Sequence, residues 1–334
     1  MTYYALALCL ALAAFAALDA AGTLFAAAAW RAAGRPARAL SAAARARLLF
    51  GLRVLPPAFA LVFVAALLIP AYLIYEPYPA PDTVGLPLAA LAALSACGLA
   101  RAAGRAFSSW LATRRLTERW MRGAEPVAFA GIEVPSYRLV GAPPVLAVIG
   151  TLRPRLFVAS QVLDSLSPEE LSVALAHERG HLLARDTLRR AVMNLCRDLL
   201  PLFAAGRALD RAWAEEAERA ADEYAARAGA EGALDLAAAL LKIARLMPEG
   251  VESVVPAGAF LLEGSDDGLA GRVRRLAEMA SAEKSPGGGA SLVLKTVAPT
   301  LLLLLFTLVT AAAADPQILA HVHALTERAV KLLS

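Results

Sequence analysis

The chain holds only four histidines, and two of them stand four residues apart in His177-Glu178-Arg179-Gly180-His181. On a helix, residues at i and i+4 share one face, so both imidazoles can grip a single divalent ion. Zinc suits nitrogen donors at that spacing. Glu178, one position after the first histidine, stands beside such an ion rather than on it. From there it can take a proton from an attacking water, the general-base role that the H-E-x-x-H spacing serves. Gly180 costs about 1 kcal/mol in a helix interior, so its presence signals room kept for a close neighbour.

A hydrolytic zinc site needs a third protein ligand and keeps a fourth position for water. The candidates lie in the acidic run from Glu215 to Glu223. Glu215 and Glu223 have arginines four residues away on either side, and Glu216 has Arg219 three residues on. Glu218 finds only Ala214, Glu215, Ala221 and Asp222 at helical neighbour positions, with no cation among them. Like charges one turn apart repel, so Glu218 and Asp222 need a positive partner from elsewhere. A dication held by the two histidines fits that need. Glu218 then serves as third ligand, and Asp222 accepts the free N–H of a ligating imidazole.

The segment LSVALAHERGHLLARDTLRR at 171–190, with ERAAD at 218–222, resembles the gluzincin membrane metallopeptidases. Within them it is most similar to the BlaR/MecR-type family, as are IGTLRPRLFVAS at 149–160, LSPEEL at 166–171 and GRVRRLAEM at 271–279. The resemblance implies one Zn²⁺ per chain on His177, His181 and Glu218, with Glu178 as catalytic base and Asp222 as an orienting group. It also implies an α+β, mostly helical domain between the third and fourth membrane spans, facing the cytoplasm. Its substrate would be a protein or peptide, cleaved for regulation: a cytoplasmic repressor or the chain itself. The β-lactam receptors carry a large external sensor after the fourth span, whereas about 20 residues follow it here, which leaves β-lactam sensing no seat. Quality-control peptidases of the HtpX/CAAX type share both motifs and form the alternative. A non-catalytic membrane sensor or scaffold built on a zinc fold is the alternative of another class.

These side chains need elements to hold them. Ser167-Pro168-Glu169-Glu170 is a helix start, with Ser167 as N-cap, Pro168 in the first turn and Glu170 completing a capping box. The pattern predicts one helix from Pro168 to about Leu199, then helices over Asp210 to Ala228, Leu234 to Leu246 and Gly268 to Glu283, with 248–267 irregular. Asp186 is expected to brace the first of these through Arg189 or Arg190. Ahead of it, short apolar runs at Tyr137–Val140, Val145–Ile149 and Leu156–Ala159 sit between Gly and Pro and read as strands. Substrate is expected to add itself as a strand along Val145–Ile149, with Val145, Ala147 and Ile149 as its contacts.

Composition places the whole at a membrane. Of 334 residues, 59% are apolar and 19% charged, against about 45–50% and about 25% in soluble domains. Four runs reach the roughly 20 apolar residues a bilayer needs: about 3–30, 54–75, 83–103 and 292–314. The expected organisation is three spans with a basic loop over 1–112, the zinc domain over 113–290, a fourth span over 291–314 and a short tail over 315–334. Six arginines and no acid lie between the first two spans, and six more arginines follow the third, whereas Glu76 and Asp82 lie between the second and third. The positive-inside bias then puts the zinc domain in the cytoplasm and both termini outside. The abundance of Ala and Arg reads as a GC-rich bacterial genome, and hence a bacterial inner membrane. Three scattered cysteines offer no disulfide framework, and nothing points to nucleic acid. Asp19, inside the first span, reads as a polar contact with a neighbouring helix. His321 and His323 read as a surface pair on an amphipathic tail helix.

Overall fold

The computed structural model describes residues 2–78, 84–196, 204–228, 230–247, 268–281, 300, 303–304 and 306–333. Three helices in it are long and apolar enough to cross a membrane. α1 spans Thr2–Arg38, with a kink at Gly34. α2 runs Ala42–Tyr75 and contains a single π-helical turn at Val64–Leu68. α3 spans Leu86–Met121, its Pro87 in the first turn, where no backbone bond is lost.

Two expectations about these helices change. α2 starts at Ala42, capped by Ser41, well before the apolar run that begins at 54, so Pro56 and Pro57 lie inside the helix. Gly22 of α1 packs onto this proline pair; a Cβ there would sit 2.9 Å from Pro56 Cβ. α3 does not end near residue 103 but carries its basic half straight on to Met121, where Trp120 meets Phe157 of the sheet edge to face. Most of the fourth apolar run, 292–299, 301–302 and 305, lies outside the described residues; 306–313 is helical.

Beyond α3 a four-stranded sheet forms from β1 (Ala124–Val127), β2 (Ser136–Leu139), β3 (Leu146–Ile149) and β4 (Arg155–Ala159), in the order β1-β2-β4-β3. β2 and β4 are parallel; the other pairs are antiparallel. β1 escaped the sequence reading because Pro126 sits in it, which only an edge strand tolerates. Then follow α4 (Ser160–Ser165), α5 (Pro168–Ala184), α6 (Asp186–Leu195), α7 (Ala205–Ala225), α8 (Ala230–Leu246) and α9 (Gly268–Ser281). The expected irregular stretch 248–267 lies outside the described residues. α5 has its full capping box: Ser167 Oγ accepts from Glu170 N at 3.2 Å, and Glu170 Oε2 accepts from Ser167 N at 2.7 Å.

One core joins β3, β4, α5, α8 and α9 through Leu146, Phe157, Ala174, Leu236 and Leu276, all buried. A second seals α7 to the long helices: Trp213 and Leu209 pack with Ala26, Ala46 and Leu49 of α1 and α2. Arg45 of α2 pairs with Glu216 of α7 at 2.8 Å, and the fully buried Arg53 pairs with Asp210 at 3.1 Å. Expected to be merely a helix neighbour of Arg219, Glu216 is therefore also a tie between α7 and α2. At the other end of α2, α10 (Pro316–Leu333) lies against it, with Leu319 and Val322 on Leu67 and Ala71. Tyr75 donates to the Pro316 carbonyl. His323 is half-tucked under Tyr75 with Glu76 3.9 Å away, whereas His321 bonds only its own helix.

Candidate active site

α5 does not run on to residue 199. It stops at Arg185, a non-glycine residue in the left-handed region (φ 54°), and α6 begins at once with Asp186. That break turns Asp186 back beneath the last turn of α5. Its Oδ2 lies 2.8 Å from Nδ1 of His181, while Oδ1 pairs with Arg189 at 3.6 Å. The bracing by Arg189 was legible in sequence. The contact with His181 was not, because it depends on the break.

α5 and α7 cross at Gly180. A Cβ on this glycine would stand 3.2 Å from Ala221 Cα and 3.4 Å from its Cβ, so the missing side chain lets the helices approach. The approach brings the histidines of α5 onto Glu218 and Asp222 of α7. Nε2 of His177 and Nε2 of His181 face each other at 3.1 Å. Glu218 presents one oxygen to each, Oε2 at 3.7 Å from His177 and Oε1 at 3.6 Å from His181. Donors bound tetrahedrally to zinc at about 2.0–2.1 Å stand about 3.3 Å apart; the three separations here bracket that edge.

The outer ring nitrogens are directed to carboxylates. His177 Nδ1 lies 3.1 Å from Asp222 Oδ1, close though off the ideal hydrogen-bond line, and His181 Nδ1 is held by Asp186. A carboxylate on Nδ1 places the ring proton there, which turns the Nε2 lone pair toward the common centre. Two ring nitrogens, able to ligate once His181 has lost its proton, and a carboxylate aimed at one point suit a cation. Glu218 Oε2, buried without an aligned hydrogen bond, adds to that fit.

Arg272 of α9 was missed as a site residue. It is buried, grips Asp222 with Nη2 at 2.6 Å and Nε at 3.3 Å, and places Nη1 3.2 Å from Glu218 Oε2. The positive partner that Glu218 and Asp222 lack on their own helix is thus in part an arginine. The unpaired acids were the signal; nothing in sequence said which arginine of the GRVRRLAEM stretch would reach them.

Electrostatics sort these groups. Burial drives His177 toward its neutral form, below the ordinary imidazole range, against the pull of Asp222. His181 resists the same burial because Glu218 and Asp186 flank it, and its pKa is pushed up to about 9. Burial works against the Asp222 carboxylate too, yet His177 and Arg272 hold it well below the usual range. Glu178 lacks such support: burial, reinforced by Glu218 and opposed by His181, raises it to about 7. A carboxyl poised near neutrality is fit to accept and return a proton.

Glu178 Oε2 accepts a hydrogen bond from the Val148 N–H at 3.2 Å, which ties it to β3. β3 is an outer strand of the sheet, as expected, but the contact residues change. Ala159 N donates to Val145 O at 2.8 Å. By antiparallel alternation, Val145, Ala147 and Ile149 then turn their main-chain groups to β4, and Leu146 and Val148 turn theirs to the outer edge. The expected set Val145, Ala147 and Ile149 is therefore one residue out of phase. Beside this edge a cavity of about 460 Å³ opens onto His181, walled by Val134, Val148, Leu152, Leu182 and Arg179.

Compared with known families, residues 147–283 match the family model described as Peptidase family M48. The match covers about two fifths of the chain and takes in β3, the H-E-x-x-H helix, α7 and α9. It points to a metallopeptidase; it does not name the BlaR/MecR type. No curated protein and no solved structure matches the chain.

Proposed function

We propose that the chain is a membrane-integrated zinc endopeptidase that cleaves a protein substrate on the cytoplasmic side of a bacterial inner membrane. The observation that carries this reading is the convergence of His177 Nε2, His181 Nε2 and Glu218 on one point, with Glu178 beside it. Bound zinc would supply Lewis-acid polarisation of the scissile carbonyl and of the attacking water. Glu178 takes the proton from that water and returns it to the leaving amine, a double duty matched to its raised pKa. Asp222 and Asp186 keep the two rings in the ligating tautomer. Arg272 holds Asp222 and stabilises the charge gathered on α7.

Substrate backbone would pair with the main chain of Leu146 and Val148 at the outer edge of β3. Because Val148 N–H is already engaged by Glu178, substrate pairing and release of the base are coupled. Leu152 and Leu183, both strongly exposed at the cavity beside His181, suit apolar side chains of a protein substrate rather than a small polar molecule.

A fourth span is supported by parity. α1 leads from Tyr3 toward Arg45, α2 returns to Glu76, and α3 leads out again to the sheet. α10 nevertheless packs at the Tyr72–Glu76 end, where Val330 joins Tyr3 and Tyr72. On this reading the chain recrosses between residues 281 and 316, where the Leu301–Leu305 run lies. With arginines concentrated at the opposite end, the bias expected of cytoplasmic loops puts both termini outside.

Regulatory cleavage, of a repressor or of the chain itself, is the reading we favour over general quality control because the domain is bolted to the spans. Arg45 reaches Glu216, two residues from Glu218. Comparing protein N-termini in cells carrying wild type or Glu178→Gln tests this. One or a few lost cleavages support regulation, hundreds support quality control, and none contradicts the peptidase.

A further inference from the structure

We propose that a basic cavity between α3, α6 and α7, lined by none of the metal-ligating residues, binds the phosphate of an anionic membrane lipid. The cavity measures about 890 Å³. Arg105 enters it from α3, Arg190 from α6, and Arg207 and Arg211 from α7. Among the described residues lining it, Asp210 is the one carboxylate against four guanidiniums. Four guanidiniums around a space of this size are a site for an anion, and their planar forks match phosphate oxygens.

The level of the cavity argues for a lipid source. Arg105 lies 19 residues after Leu86 on an unbroken helix, a rise of about 29 Å at 1.5 Å per residue. The hydrocarbon core of a bilayer is about 30 Å thick, so Arg105 stands where headgroup phosphates begin. Phe107 and Trp110, their rings tilted against each other at 5.8 Å and both exposed on the same helix, mark the same boundary. Ser109 adds a hydroxyl to the rim, whereas that of Ser108 donates to the Arg105 carbonyl at 3.0 Å. Arg190 lies over the Trp213 ring, 5.4 Å from its centroid; held flat, its guanidinium can still offer its N–H edge to a phosphate.

The walls of the cavity are the helices that serve the metal cluster. α6 begins with Asp186, and α7 carries Glu218 five residues after Trp213. A headgroup seated here would clamp α6 and α7 to α3 at the membrane surface.

The test uses the full chain in mild detergent and a fluorescent phosphatidylglycerol, with phosphatidylcholine as the neutral comparison. Arg207 and Arg211 are exposed, so the double variant Arg207→Gln/Arg211→Gln disturbs no core. It should bind phosphatidylglycerol about thirtyfold more weakly, at about 1 kcal/mol per arginine near an anionic surface. The control Arg115→Gln/Arg119→Gln removes the same charge from α3 outside the cavity and should retain binding. Inorganic phosphate serves as competitor: displacement only by lipid assigns the site to a headgroup, and displacement by millimolar phosphate alone assigns it to the soluble ion. Equal weakening in both double variants, or no preference over phosphatidylcholine, overturns the site.

Discussion

Asp186 Oδ2 stands 2.8 Å from Nδ1 of His181, across a helix break made by the left-handed Arg185. The carboxylate therefore fixes the tautomer and rotation of one proposed ligand, as Asp222 does for the other. Loss of such a partner ordinarily lowers metal affinity about 10–100-fold. Asp186→Asn should weaken zinc binding within that range while the secondary structure is kept, measured by competition with a chelator. Unchanged affinity would leave Asp186 merely an acid in the first turn of α6.

Two raised pKa values give the metal-free protein a pH profile with a definite sign. Glu178 rises from 4.5 to about 7, and His181 from 6.5 to about 9. A group whose folded pKa is raised contributes stability that is full below its unfolded pKa and lost as pH climbs through the folded one. Glu178 thus loses its contribution between about pH 4.5 and 7, and His181 between about 6.5 and 9. Denaturant midpoints should fall across both windows. Glu178→Gln should flatten the lower window alone; a midpoint indifferent to this substitution would show that Glu178 titrates normally.

Zinc uptake should release a proton. With its pKa pushed up to about 9, His181 should carry a proton at neutral pH in the metal-free protein and must lose it to ligate. Titration calorimetry at about pH 7.5 in buffers of different ionisation enthalpy should show release that disappears in His181→Ala. Equal heats in all buffers would contradict the assignment.

Gly180 sets the distance between the two ligand-bearing helices. Alanine there gains about 1 kcal/mol of helix propensity but presses its Cβ to 3.2 Å from Ala221 Cα. The two effects nearly cancel in stability. They do not cancel at the metal, because a few tenths of an ångström of helix separation act on the Glu218 to histidine distances. Gly180→Ala should keep its thermal midpoint within a few degrees and bind zinc several-fold more weakly; Gly180→Val should lose both.

Much of this centre was legible in the sequence because it is carried by local spacing. The i, i+4 histidines, the Ser167–Glu170 capping box and the cation-free surroundings of Glu218 and Asp222 are properties of single helices. What could not be read depends on how elements meet. On a continuous helix, Asp186 would sit about 140° round from His181, so only the break at Arg185 brings them together. The parity of β3 is set by its register with β4, which no run of apolar residues encodes. Arg272 comes from a helix 50 residues beyond Asp222. The helices α2 and α3 are longer than the apolar runs 54–75 and 83–103, because hydropathy marks where a bilayer would lie, whereas backbone hydrogen bonding carries the helices past it.

The most direct test of the central claim pairs metal content with chemistry in one set of variants. Full-length protein extracted gently should hold one zinc per chain. His177→Ala and Glu218→Gln should lose it, and Glu178→Gln should keep it while cleaving nothing. Zinc-free wild-type protein, or a Glu178→Gln variant that still cleaves, would contradict the account.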